Sequence, residues 1–235
     1  MAPQHTVQAY QAELQELRDR LETMTDVVYE MIANAREALT TGDMELAERT
    51  VQTDHQVNQQ EVEIDRFCLE ILVRRQSVAG DLRFILAAMK MVTQLERIGD
   101  QAASICHEVT DRPPGLQPTG ADLVDDVAEA AKSVVDDAIT AFLDEDVDRA
   151  FEAIDADDEV NEEYERVSRQ VLSQMGDGEL AVETGISIQS IAKRFERMAD
   201  CATNIAEAII FALDAQDIRH RDKLASPPTG DRDHS

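Results

Sequence analysis

Two segments of this chain recur about a hundred residues later. The sequence ERIGD at 96–100 returns as ERMAD at 196–200, and DHQVNQQE at 54–61 returns as DDEVNEEY at 157–164. The offsets are 100 and 103 residues, so the second copy is three residues shorter between the two segments. Matching segments in the same order indicate an internal duplication, which restricts the chain to folds built from two copies of one structural unit.

The spacing of apolar residues predicts helices. Between Tyr10 and Leu39 they recur at steps of three and four, the period of a long amphipathic helix. Aromatic residues make up 4% of the chain and Trp is absent, which favours helices packed through aliphatic side chains over a sheet sandwich. Five further helices are predicted at 44–76, 78–108, 123–143, 147–175 and 179–217. We therefore predict an all-α fold of two tandem three-helix bundles related by internal duplication.

Proline and glycine mark the boundary between the two copies. The segment DRPPGLQPTGAD at 111–122 contains three prolines and two glycines, which predicts a linker. The first bundle is expected within 1–110 and the second within 123–217. A polar, proline-containing tail at 218–235 is expected to be disordered. Asp43, after the first turn, is expected to cap the second helix.

The charge of the chain excludes some classes of partner. With 49 acidic and 22 basic residues its net charge is −27, which repels nucleic acid and anionic lipid head groups. The same charge fits a solvated or salt-adapted surface. Three separated cysteines form no metal-finger or disulfide pattern, and no apolar run reaches membrane-spanning length. We expect a soluble protein of the reducing cytoplasm, without membrane insertion and without nucleic-acid binding.

Carboxylates interrupt the apolar spacing of the predicted helices in both copies. Glu96 and Asp100 lie four positions apart on one helical face, with Cβ atoms about 5–6 Å apart, and Glu196 and Asp200 repeat that arrangement. Carboxylates on adjacent helices can share hard or borderline cations through their oxygens. The candidate metal ligands are Asp54, Glu61, Asp65, Glu96, Asp100, Asp157, Glu196 and Asp200, with Asn58, Asn161, Arg97 and Arg197 as auxiliary residues.

The same spacing also fits an ordinary acidic surface stripe. Arg97 and Arg197 each follow a motif glutamate, where they can neutralise carboxylates in ion pairs or bind an anion. Recurrence in both copies favours a shared purpose such as metal binding. The residues by themselves leave both interpretations open.

Signatures of catalysis are missing from the sequence. The predicted helices contain no Glu-x-x-His, which the ferritin-like di-iron bundles require. The chain has no glycine-rich phosphate loop and no local Ser/His/Asp or Cys/His signature. We therefore predict that the protein is not an enzyme.

Several motifs, in order, resemble the PhoU family of phosphate-specific transport system accessory proteins. They are LERIGDQAASI (95–105), FERMADCATNI (195–205), DHQVNQQEVEID (54–65), RRQSVAGDLR (74–83) and the terminal RH (219–220). The resemblance implies two spectrin-repeat-like bundles with pseudo-twofold symmetry in a homodimer. It further implies a cytoplasmic negative regulator of phosphate uptake and of the phosphate-starvation response. Such a regulator links the phosphate ABC transporter, through its ATPase subunit, to a sensor histidine kinase.

The resemblance also implies divalent or trivalent metal ions, namely iron, zinc, manganese or magnesium. It places a first site on Glu61, Asp65, Glu96 and Asp100, next to Asp54 and Asn58, and a second on Asp157, Asn161, Glu196 and Asp200. The second copy departs from the first, because Tyr164 stands at the position of Glu61, Val167 and Ser168 replace the second carboxylate region, and Ala199 replaces Gly99. A metal-cluster storage or redox protein and a plain helical scaffold are the competing hypotheses.

Overall fold

The computed structural model describes residues 2–74, 79–111 and 120–214, which form helices and short turns. The first half contains α1 (Ala2–Thr41), α2 (Met44–Arg74) and α3 (Ala79–Thr110). After a short 3-10 turn (Ala121–Leu123), the second half contains α4 (Asp125–Leu143), α5 (Val147–Gly176) and α6 (Val182–Asp214). Each set of three helices packs together, so the predicted all-α fold of two three-helix bundles is confirmed.

Most helix ends fall close to the predicted positions. Two helices begin elsewhere: α1 begins at Ala2, eight residues before the apolar spacing that starts at Tyr10, and α6 begins at Val182 and not at 179. The backbone N–H groups of Glu179 and Leu180 donate to the carbonyl oxygen of Gln174, which closes a turn behind α5. The predicted ends at 76 and 78, most of the linker and the tail at 218–235 lie outside the described residues.

The first turn has the same construction in both halves. Gly42 has φ 72°, and Glu145, at the matching offset of 103, has φ 56°. The next residue caps the following helix: Asp43 Oδ1 accepts from the Leu46 N–H at 2.9 Å, as predicted. Asp146 Oδ1 accepts from the Arg149 N–H at 3.1 Å. The duplication therefore extends to the backbone of the first turn in each half.

The halves are joined through α3 and α6, which pack against each other in opposite directions. At one end Arg83 Nε donates to the carbonyl oxygen of Ala212 at 2.8 Å, and at the other Ser187 Oγ donates to Glu108 Oε2 at 3.0 Å. As α3 and α6 are equivalent in the duplication and antiparallel, a twofold rotation exchanges them. Such a rotation keeps equivalent residues on the same side of the helix pair. The two Glu-Arg-x-x-Asp motifs therefore lie near the middle of one shared face.

Aliphatic side chains fill the interior of both bundles. Leu17, Leu21 and Met24 on α1 are fully buried, and so are Leu95 on α3 and, within 1%, Phe195 on α6. This burial follows the three-four spacing of the sequence. In the described part of the chain, no helix combines the length and the apolarity needed to cross a bilayer.

Candidate metal centre

The first-half carboxylates lie along the contact between α2 and α3. Val57 and Ile64 on α2 and Leu95 and Ile98 on α3 are buried, and they fix the rotation of each helix. Polar residues one or three positions from these buried residues are then half-buried at the edge of this contact. This group comprises Asp54, Asn58, Glu61 and Asp65 from α2 and Glu96 from α3, with the more exposed Asp100 one turn further on.

Carboxylates from the two helices come close enough to influence one another. Burial, followed by the neighbouring Asp100, Glu61 and Asp54, raises the pKa of Glu96 to about 7. Burial and then Asp65 raise the pKa of Glu61. Partial burial and then Asp54 raise the pKa of Asp100. The structure thus brings together, across two helices, the five carboxylates that the sequence predicted for this half.

Several oxygens of this group have no hydrogen-bond partner. Asn58 Nδ2 donates to Asp54 Oδ2 at 3.0 Å, which leaves Asp54 Oδ1 and Asn58 Oδ1 buried and without a partner in the described residues. Asp65 Oδ1 is buried in the same condition. Buried acceptors are normally satisfied, so this set of oxygens fits a cation that prefers oxygen ligands.

The side chains are not arranged as a complete coordination sphere. Within residues 2–74, 79–111 and 120–214, no three His, Cys, Asp or Glu side chains are placed to hold one ion together. Ligation of a metal would therefore require new rotamers, for example of Glu61 and Glu96. The metal site of this half stays a prediction, supported by the chemistry of its oxygens.

The two motif arginines do not pair with the carboxylates. Arg97 and Arg197 are exposed, and neither is in an ion pair with a described carboxylate. The positive charge of Arg97 lowers the pKa of Glu61 and of Glu96, but burial and the neighbouring carboxylates raise both values by more. The interpretation of an acidic stripe neutralised by these arginines therefore loses its main support.

The second half repeats the asparagine–aspartate pair and the two motif carboxylates, but it has no counterpart of Glu61 or Asp65. Asn161 Nδ2 donates to Asp157 Oδ2 at 3.0 Å, and Asp157 Oδ1 is left buried and without a partner among the described residues. Burial, then Asp200, raises the pKa of Asp157, and burial, then Glu196, raises that of Asp200. These three carboxylates are thus near one another, as predicted.

Lys193 is a residue of this second group that the sequence analysis missed. Its Nζ donates to Glu196 Oε1 at 2.5 Å and lies 5.2 Å from the centre of the Tyr164 ring. Its charge also lowers the pKa of Asp200 against the effect of burial. The offset of 100 residues, which aligns Lys193 with Thr93, is the signal that could have found it.

The exchange of Gly99 for Ala199 does not explain the difference between the halves. A Cβ atom at Gly99 would lie 3.5 Å from Val57 Cγ1 and 3.7 Å from Met31 Sδ, which are ordinary contacts. Alanine therefore fits at this position in either half. The exchange of glycine for alanine therefore does not distinguish the two sites, which differ in their polar residues.

Two copies of a three-helix bundle, each with carboxylates at the contact of its last two helices, define a duplicated helical-bundle protein. A family model described as PhoU domain matches residues 21–109 and 124–209, one match in each half. The chain belongs to the PhoU family. This family consists of accessory proteins of phosphate transport, and the prediction that the chain is not an enzyme is confirmed.

Similarity to individual PhoU proteins extends over nearly the whole chain. A phosphate-specific transport system accessory protein PhoU homolog of Pseudomonas putida is 34% identical over 92% of this chain and 85% of its own length. The PhoU of Escherichia coli K12 is 31% identical over 92% of this chain and 90% of its own length. The crystal structure of PhoU from Pseudomonas aeruginosa superposes with a TM-score of 0.83 at 33% identity, covering 88% of this chain and all of the other.

Proposed function

We propose that this chain is a cytoplasmic negative regulator of phosphate uptake and of the phosphate-starvation response. It acts as a homodimeric adaptor between the ATPase subunit of a phosphate ABC transporter and a sensor histidine kinase. It binds divalent or trivalent metal ions through the carboxylates predicted in its two halves, with iron, zinc, manganese or magnesium as candidates. The similarity to accessory proteins of phosphate transport over almost the full length supports the general role.

Exposed apolar residues that recur in both halves carry the adaptor proposal. Leu69, Leu82 and Leu86 are 54%, 38% and 41% exposed, and their counterparts Leu172, Val182 and Ile186 are 58%, 57% and 62% exposed. The counterparts match at offsets of 103 and 100, the same offsets as the motifs. Single exposed apolar residues need no explanation, but the same three positions in two copies indicate docking surfaces. We call these two groups the first and the second apolar trio.

The two trios lie far apart. Each trio has one residue in the last part of the middle helix and two residues in the first turns of the third helix of its half. Because α3 and α6 are antiparallel, the beginnings of these helices lie at opposite ends of the pair. A helix of 32 residues is about 48 Å long, so the trios are separated by most of the length of the molecule. Two separated docking surfaces suit an adaptor that contacts two proteins.

Removal of the gene tests the regulatory role. We expect phosphate-responsive genes to be expressed in high phosphate when the chain is absent, and unchanged repression would refute the proposal. Reintroduced Leu69→Glu and Leu172→Glu variants should each lose binding to one of the two partners in pull-down assays with the purified ATPase subunit and kinase. Val62→Glu is the matched control, because Val62 is 66% exposed but corresponds to Glu165, so its exposure is not shared by the second half.

A metal-storage protein is the second candidate. The unpartnered oxygens of Asp54, Asn58 and Asp65 favour it, since they suit a carboxylate-bridged cluster. A storage protein would take up more redox-active iron than the predicted metal sites can hold. Deletion of its gene would leave the repression of phosphate-responsive genes intact. An iron titration followed by absorption spectroscopy, together with the deletion strain, separates the two functions.

A further inference from the structure

We propose that the second half of this chain holds no metal ion and that the ammonium group of Lys193 is its built-in cation. The proposal deepens the proposed metal-dependent function, because it limits metal binding to the first half. The negative charge of the carboxylates would then be balanced in two ways: by a metal ion from solution in the first half and by a lysine side chain in the second.

The position of Lys193 is that of a central counter-ion. Its ammonium group donates to Glu196 Oε1 at 2.5 Å, and the Glu196 side chain is 10% exposed against 39% for that of Lys193. The Tyr164 ring lies 5.2 Å from Nζ, within the range of a cation–π contact. One ammonium group thus contacts a nearly buried carboxylate of the second motif and an aromatic ring of the neighbouring helix.

Three differences between the halves act in the same direction. Where the first half has Glu61, Asp65 and Thr93, the second has Tyr164, Ser168 and Lys193. Five carboxylates become three, and one positive charge is added. Fewer carboxylates weaken the attraction for a metal cation, and an ammonium group hydrogen-bonded to Glu196 occupies one of the ligand oxygens.

The first half lacks such a built-in cation. Among the described residues, none of Asp54, Glu61, Asp65, Glu96 and Asp100 is in an ion pair within 4.0 Å. Its carboxylates therefore depend on protons or on a cation from solution. In the second half Glu196 Oε2 and Asp157 Oδ1 are buried and without a partner among the described residues, whereas the other oxygen of Glu196 accepts from Lys193 and that of Asp157 from Asn161. The second half thus has a cation of its own beside Glu196, and the first half has none beside its carboxylates.

Manganese binding to the full chain tests the proposal. The protein is stripped with a chelator, dialysed against Mn²⁺ and assayed for bound ion by electron paramagnetic resonance. We expect Glu196→Gln with Asp200→Asn to leave the bound Mn²⁺ unchanged, and Glu96→Gln with Asp100→Asn to abolish it. A fall in bound Mn²⁺ in the second-half variant would overturn the proposal. Restoring the first-half residues through Lys193→Thr, Tyr164→Glu and Ser168→Asp should add Mn²⁺ at the second half.

Thermal unfolding in chelator provides a readout that does not depend on the first half. Lys193→Met should lower the melting temperature because it leaves the carboxylates of the second half without a counter-ion, and Lys193→Arg should largely preserve it. Equal stability of Lys193→Met and the wild type would overturn the proposal. If the wild type binds no Mn²⁺ at all, the metal site of the proposed function fails, and this second measurement still decides the role of Lys193.

Discussion

The two halves of this protein share an arrangement of three helices but not a site. Both have a left-handed residue before a capping aspartate, and both have an asparagine that donates to the aspartate four residues earlier. They differ where Glu61 and Thr93 of the first half become Tyr164 and Lys193. Core residues are coupled through packing and resist change one at a time. Half-buried polar residues are coupled mainly through charge, so a few compensating substitutions can change the chemistry of a site.

Truncation of equivalent core residues should have the largest effect on stability. Leu95 and Phe195 occupy matching positions and are almost completely buried. We expect Phe195→Ala to lower the free energy of unfolding by about 3–5 kcal/mol and Leu95→Ala by about 2–5 kcal/mol. Because α3 and α6 pack together, both variants should lower one common transition in calorimetry. Two separate transitions, each shifted by one variant, would show that the halves unfold independently.

Transfer of the second-half residues into the first half should abolish most metal binding. The variant Glu61→Tyr, Asp65→Ser and Thr93→Lys removes two carboxylates and adds an ammonium group. We expect the affinity for Mn²⁺ to fall by about 100-fold in calorimetric titrations, because ligand charge sets the strength of such sites. Thr93→Val alone is the control and should retain binding. Undiminished binding in the triple variant would mean that these three residues do not distinguish the halves.

The metal-free protein should lose stability as the pH rises toward neutrality because of Glu96. Its pKa is about 7 in the fold against 4.5 normally, so the folded state holds this proton more tightly than the unfolded state. The destabilisation is absent below pH 4.5, grows as the pH rises to about 7 and is complete above it. Asp100, Glu61 and Asp54 raise this pKa and Arg97 lowers it.

Glu96→Gln isolates this contribution. In chelator at pH 8 the variant should be more stable than the wild type by roughly 1 kcal/mol. This is less than the rise in the pKa of Glu96 would give by itself, because solvent screens the charge of a half-buried group. At pH 4 the two should be equally stable in urea titrations. The equivalent Glu196→Gln should instead destabilise the protein, because it weakens the contact with Lys193. A stabilising effect of Glu196→Gln would remove this contrast between the halves.

The smallest effects should come from the turns, with opposite signs in the two halves. Glu145 has φ 56°, where a side chain costs about 1 kcal/mol, and its exposed ion pair with Arg18 offsets only part of this. We expect Glu145→Gly to stabilise the protein by about 0.5 kcal/mol. Gly42→Ala should destabilise it by about 1 kcal/mol, since Gly42 has φ 72°. Urea titrations measure both, and effects of equal sign would contradict the equivalence of these turns.

Much of the fold was predictable because its signals are local. The three-four spacing from Tyr10 to Leu39 follows from the helical period, and Asp43 caps α2 because its short side chain reaches the N–H of Leu46. The start of α6 was predicted three residues early, because the bonds from Glu179 and Leu180 back to Gln174 depend on how α5 ends. The membership of the carboxylate groups was also predictable from helical phase, since buried neighbours such as Val57 and Leu95 fix which residues stand at the helix contact.

The sequence by itself determined the duplication, the helices, the cap of α2 and the candidate carboxylates, because each depends on residues close together in the chain. Only the tertiary structure decided how these carboxylates are compensated. Arg97 is adjacent to Glu96 in the sequence, but its side chain is exposed and forms no ion pair with a described carboxylate. Lys193 donates to Glu196 on its own helix and contacts the ring of Tyr164 on α5. Charge compensation depends on distances across packed helices, and these distances are set by the core and not by the order of residues along the chain.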